Sequence, residues 1–317
     1  MISKTLFGHI GDVDVYAITI TVGEYKVSVM TRGATLLYFG KDSYNAVLAH
    51  KTLEEYVNGK GHPGEVVGPY ANRVSNASFT LDGVKYNLDK NDNGVNTLHS
   101  GSANYGDKIW SILALGEDSV TLGIKREEEG GWPGDKECEI TYHLSSDGIL
   151  TLYYKSLSSK KCPVCLTNHA YFVVDDRDCR HDLLEVPAFS YVDVDPLLIP
   201  KENNPVAVEN TPFDFTHPTL IGARRDGKYD NTWVLDEGAV IHLEGNKAEI
   251  WCKTTEPGIQ IYTGEHLSDD FRPFQGVALE TGRFPNTPNR SDFPGVYTDK
   301  NTVYESVTSY RLKIKEA

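Results

Sequence analysis

The sequence predicts an all-β chain, a large antiparallel sandwich with few short helices, and three observations carry that prediction. Short runs with period-two alternation or with β-branched and aromatic enrichment recur along the chain, Asp-Gly pairs separate some of them, and long stretches with apolar residues at helical spacing are absent. At 317 residues the chain can bury the core of one large all-β unit, so residues 1–317 are read as a single domain.

In chain order, the strand candidates are Tyr25–Met30, Ser78–Leu81, Val84–Leu88, Ser119–Ile124, Glu139–Leu144, Ile149–Lys155, Ala248–Lys253 and Ile259–Thr263. Asp82-Gly83 and Asp147-Gly148 each lie between two such runs, and Asp-Gly supplies the positive φ a tight hairpin turn needs, so the neighbours pair antiparallel. The best helical candidate is Thr52–Tyr56, with Thr52 placed to act as an N-cap. The Pro- and Asp-rich segment Asp193–Asp214 is predicted to be a long surface excursion. No low-complexity linker, charge block or internal repeat divides the chain.

Composition narrows the function classes. Lys+Arg number 31 against Asp+Glu 45, a net charge of -14, which repels phosphate-rich partners at long range; neither nucleic acid nor an anionic membrane is expected as a partner, and a neutral ligand suits this charge better. The start, Met1-Ile2-Ser3-Lys4, has no basic segment followed by a continuous apolar stretch, and no run of about 18 apolar residues occurs. Five cysteines, an odd count, favour reduced thiols over a disulfide framework. Together these predict a soluble cytoplasmic protein, in which the sequons at Asn76 and Asn289 carry no weight.

A phosphate-cradling Gly-rich loop, a dinucleotide fingerprint after a strand and a nucleophile elbow are all missing, so nucleotide cofactors are not expected. Cys162-Pro163-Val164-Cys165 has neither the second pair of a zinc site nor the βαβ setting of a redox motif, and reads as packing. Polar residues gather instead in ordered clusters: Gly68-Pro69-Tyr70-Ala71-Asn72-Arg73, Asn96-Thr97-Leu98-His99-Ser100-Gly101, Thr167-Asn168-His169-Ala170-Tyr171-Phe172, Tyr229-Asp230-Asn231 and Ala278-Leu279-Glu280-Thr281-Gly282.

In this order and at these separations the clusters resemble the signature motifs of the galactose mutarotase (aldose 1-epimerase) family. Gly131-Trp132-Pro133-Gly134, the stretch Gly258 to Gly264, and Phe284-Pro285-Asn286 through Pro294 extend the likeness to roughly residues 30 to 310. The resemblance implies a galactose mutarotase-like antiparallel β-supersandwich with a sugar cleft on one sheet face, and an isomerase that needs no organic cofactor and no metal. It implies Glu280 as base and His169 as acid. Asn72, Arg73, His99, Tyr171, Asp230 and Gln260 would bind the monosaccharide.

Residue chemistry agrees with several of these roles. Glu280 follows the apolar Val277-Ala278-Leu279, where desolvation raises a carboxyl pKa, although such a residue also reads as a strand-end surface glutamate. His169 alone reads equally as a satisfied core histidine, and Arg73 as half of a structural ion pair. If Thr167–Phe172 is one strand, His169 and Tyr171 share a face, as do Gln260 and Tyr262 opposite Ile259 and Ile261. The chain departs from the family at Val173-Val174, at Gly282-Arg283 and in a shortened stretch from Gln260 to Glu280, changes that bear on sugar preference more than on chemistry. Two other readings keep the fold: a hexose 6-phosphate mutarotase, for which Arg224-Arg225 is the adjacent basic pair shortly before Asp230, and a non-catalytic sugar-binding protein. A monomer and a homodimer are equally compatible with the sequence.

Overall fold

The computed structural model describes residues 1–316, almost all as strands and the loops that join them. A five-stranded meander comprises Ile2–Ile10, Val13–Val22, Tyr25–Met30, Thr35–Lys41 and Tyr44–Asn45. A nine-stranded sheet runs in the order Ser111–Leu115, Ser119–Arg126, Lys136–Leu144, Ile149–Ser158, Tyr304–Ile314, Ala248–Thr254, Val240–Glu244, Leu183–Glu185 and Thr219–Leu220. A six-stranded sheet runs Tyr171–Phe172, Val277–Gly282, Gly258–Tyr262, Asp230–Val234, Ser190–Val192 and Val206–Ala207. Every ladder between these strands is antiparallel.

The sheets close on one apolar core. Val27 and Val29 of the meander, Ile140 and Leu150 of the long sheet, and Ile259 and Leu279 of the six-stranded sheet belong to the same fully buried cluster. Alternation along each strand puts these residues on the inner face and leaves the opposite face for other work. The nine- and six-stranded sheets are tied across this core by the Tyr310 hydroxyl, which donates to the Leu279 carbonyl at 3.0 Å.

Every predicted strand is present, with ends moved by up to three residues; Glu139–Leu144, for example, begins at Lys136. At the first hairpin both Asp82 (φ 50) and Gly83 (φ 81) are left-handed, the two-residue turn Asp-Gly favours. At the second, Gly148 alone is left-handed (φ 78), and the loop closes from Ser145 N to the Ile149 carbonyl at 2.9 Å. A side chain at 148 would meet the Tyr25 ring at 2.5 Å. The helix covers Leu53–Asn58, with Thr52 as N-cap in a capping box with Glu55.

One expectation changes: Thr167–Phe172 is not one strand but two short ones, Thr167–Asn168 and Tyr171–Phe172, paired with different partners on either side of His169 and Ala170. The segment from Asp193 to Asp214 is, as expected, a largely irregular surface stretch, with Val206–Ala207 its one short strand, and part of it walls a groove. All five cysteines are free and buried. Among the described residues no helix is long and apolar enough to cross a membrane.

Candidate active site

The outer face of the six-stranded sheet carries the acidic half of the site. Ile259 and Ile261 fill the core, so Gln260 and Tyr262 face away from it; by the same alternation Leu279 packs inward and Glu280 outward. Register then sets the neighbours: Gln260 lies opposite Glu280 on one side and Thr232 on the other, and Tyr262 opposite Asp230. The Gln260 amide nitrogen donates to Asp230 Oδ1 at 2.5 Å, and its carbonyl accepts from the Thr232 hydroxyl.

Two loops supply the facing wall. Trp132 stacks on Tyr70 at 5.6 Å and donates its indole N–H to the Ser100 carbonyl, while the Ser100 hydroxyl is held by the Tyr70 backbone. That knot fixes the loop after Tyr70 against the loop before Gly101. Asn72 and His99 are both left-handed (φ 68 and 50), and they bind each other: His99 N donates to the Asn72 carbonyl at 3.1 Å, and Asn72 N donates to His99 Nδ1 at 3.2 Å. Because Nδ1 accepts there, a neutral His99 carries its proton on Nε2 and is a donor toward the cleft. Arg73 points between two carboxylates, with Nε donating to Asp92 at 3.2 Å and a terminal nitrogen 3.8 Å from Asp230.

His169 sits at the break between the two short strands. Asn168 shapes that break, donating to the Gly64 carbonyl at 2.7 Å and accepting from Ala170 N at 3.1 Å. His169 Nε2 lies 3.5 Å from Glu280 Oε1, and both side chains are only 6% exposed. The His169 and Tyr171 rings are 5.0 Å apart although the strand between them is interrupted, and the Tyr171 hydroxyl is engaged by the Gly61 carbonyl at 2.9 Å.

A cavity of about 240 Å³ is lined by Asn72, Arg73, His99, His169, Tyr171, Asp230 and Glu280 together with residues that the sequence reading did not select, chiefly His62, Tyr262 and His266. It is continuous through Arg73, Asp230, Tyr262 and His266 with a wider groove of about 790 Å³. Gln260 is not among these lining residues; it lies between Glu280 and Thr232 on the same outward face, with its amide engaged by Asp230 and Thr232. His62 left only a weak signal, a histidine in the glycine-rich turn Gly61-His62-Pro63-Gly64 between helix and strand.

Burial dominates the electrostatics. It raises the Glu280 carboxyl to about 8, helped by the charge of Asp230 and opposed by Arg73. It lowers His169 to about 3, reinforced by the charge of His62, and pulls His99 well below the usual imidazole range. Asp230 is also raised by burial, with Arg73 and Gln260 pulling the other way. Between about 3 and about 8 the Glu280–His169 pair therefore holds one transferable proton, resting on Glu280. Such a pair can take a proton from one oxygen of a ligand and return one to another. The donor atoms of His99, His169 and Glu280 also lie within 4.8 Å of one another, close enough to grip a divalent cation in the same space.

A family model described as aldose 1-epimerase matches residues 16–311. The chain is 28% identical to the aldose 1-epimerase of Escherichia coli over 90% of this chain and 91% of that one, and 28% identical to the galactose mutarotase of Sus scrofa over 99% of both. Its fold is similar to the crystal structure of galactose 1-epimerase from Lactobacillus acidophilus, with a TM-score of 0.89 at 20% identity over 100% of this chain and 99% of that one. An aldose epimerase homologue from C. elegans gives the same TM-score at 23% identity, over 95% of this chain and 99% of that one.

Proposed function

The chain belongs to the aldose 1-epimerase family and is an isomerase; from that premise we propose that it interconverts the α and β anomers of free aldoses, D-glucose and D-galactose among them, as a single domain of residues 1–317 in the cytoplasm. The observation that carries the proposal is the approach of His169 and Glu280 to 3.5 Å in a buried cavity whose other walls are hydroxyl-binding groups.

In this reading the anomeric hydroxyl gives its proton to Glu280 while His169 protonates the ring oxygen. The bond between C1 and the ring oxygen breaks, the C1–C2 bond rotates, and reclosure on the other face returns both protons. Each group takes and gives one proton per turnover, so the singly protonated pair is the working form. For Glu280 to act as base, its resting proton first passes to His169. Asp230 accepts hydroxyl protons and Arg73 donates to sugar oxygens, and each proton-transfer group is worth roughly 10²–10⁴ in rate.

The wider groove does not favour a phosphorylated sugar. Lys201 is paired with Asp193 at 2.9 Å and Lys228 with Glu265 at 2.6 Å, and Arg225 stacks over Phe213 at 4.8 Å, so its cations are already engaged. Polarimetry of fresh α-D-glucose, α-D-galactose and α-D-glucose 6-phosphate tests the proposal. Acceleration of the free sugars by wild type, lost in Glu280→Gln, is the expected result; acceleration of the phosphate alone overturns it.

A further inference from the structure

His62 lies in the cavity wall, and the resemblance that pointed to the other site residues gave it no role. Its surroundings are organised around it. His62 Nδ1 lies 2.8 Å from Glu65 Oε2, and the other oxygen of that carboxylate accepts from Arg32 at 2.6 Å. Glu65 and Arg32 are buried, with side chains 5% and 7% exposed, whereas His62 is 39% exposed. A carboxylate only accepts hydrogen bonds, so the His62 ring must carry its proton on Nδ1, which leaves Nε2 as the free polar atom. This is the arrangement by which a buried carboxylate fixes the tautomer and orientation of a working histidine.

The position is set with equal care. Gly64 N donates to the His169 carbonyl at 3.0 Å, and His169 N donates to the Glu65 carbonyl at 2.8 Å, so the loop bearing His62 is stitched to the backbone of His169 itself. The His62 ring stands 6.1 Å from that of His169 and 5.4 Å from that of His99. His62 is also left-handed (φ 54), a conformation uncommon outside glycine and one that persists where the surroundings impose it. The charged and titratable groups around it are Glu65 and Arg32 behind, His99 and His169 beside it, and Glu280, Arg73, Asp230, Tyr171, Tyr262 and His266 elsewhere on the same wall.

Resting on the mutarotase reading, we propose that His62, held by the Glu65–Arg32 ion pair, binds a sugar hydroxyl other than the anomeric one through Nε2 and so determines specificity at that carbon. His169 and Glu280 claim the anomeric carbon and ring oxygen; a ring 6.1 Å from His169 reaches a different oxygen of the same sugar. Bound in this way, the hydroxyl is read by a group that loses its partner when the hydroxyl is missing, which is how a polar site rejects a deoxy analogue.

The test is anomerisation of D-glucose and its 2-, 3-, 4- and 6-deoxy analogues by wild type, His62→Ala and His62→Asn. The asparagine variant tolerates the left-handed backbone and guards against misfolding of the alanine variant. Expected for both variants is a fall in kcat/KM of roughly 10–100-fold on glucose, and wild-type-like values on one deoxy sugar, the one lacking the contacted hydroxyl. A uniform fall across all five sugars, or no fall on any, overturns the role of His62 while leaving the mutarotase standing. Wild type inactive on all five overturns both.

Discussion

Replacing Glu280 by glutamine should abolish activity and make the folded protein more stable, by an amount that depends on pH. In the unfolded chain this carboxyl titrates near its ordinary value of 4.5; in the fold, burial and then the charge of Asp230 hold it at about 8 against the pull of Arg73. Folding therefore favours the protonated form. Below 4.5 both states are protonated and nothing is lost. From 4.5 to about 8 stability declines by about 1.36 kcal/mol per pH unit, and above about 8 the loss levels off at roughly 5 kcal/mol. Glutamine keeps the shape and cannot ionise, so its packing cost is the same at every pH and cancels when two pH values are compared. Urea unfolding of wild type and Glu280→Gln at pH 4.5 and pH 8.5 reads the difference directly. The variant should gain about 3–5 kcal/mol more at the higher pH. A gain that differs by less than about 1 kcal/mol between the two conditions would refute the argument that the fold holds this carboxylate at high free energy.

Other expectations follow from the same geometry. Because the working pair carries one proton, kcat/KM should fall at an acid limb near 3 and an alkaline limb near 8; a rate still rising past pH 8 would contradict the proton count. Asp230→Asn should raise KM roughly 10–100-fold with kcat little changed, and steady-state kinetics showing the loss in kcat instead would make Asp230 part of the proton transfer. Arg32→Met leaves Glu65 buried with only His62 beside it and should cost about 3–5 kcal/mol in denaturant unfolding. Adding Glu65→Gln should recover most of that loss, and a double variant as unstable as the single one would show that the pair is not acting as one unit.

The strands were legible because one face of each is buried, so their sequences alternate: Ile259 and Ile261 in the core predict Gln260 and Tyr262 outside it. The hairpin at Asp82-Gly83 was legible from turn chemistry. The break at His169 was not, because what interrupts the strand is the Asn168 side chain reaching Gly64, more than a hundred residues earlier in sequence, and no local pattern announces that bond. The same reason hid His62. It bonds Glu65, close in sequence, but what holds Glu65 and the loop in place is Arg32 and the backbone of His169, which only folding assembles. Gln260 was selected by resemblance, and its bonds to Asp230 and Thr232 depend on the register of two strands, which spacing alone does not give.

The five buried cysteines have a use at the bench. Burial pushes every one of these thiols up, Cys162 and Cys165 to about 12, so at neutral pH the native protein presents no thiolate to an alkylating reagent. Cys138 and Cys252 lie in the long sheet, Cys162 and Cys165 in the segment under the Tyr70–Trp132 stack, and Cys179 in the turn before Leu183. A pulse of iodoacetamide followed by intact-mass measurement would therefore count, molecule by molecule, how much of the chain has opened. Tags arriving all five together report a single cooperative opening, and tags arriving first at Cys162 and Cys165 report that the loops carrying Arg73 and His99 come apart before the sheets do.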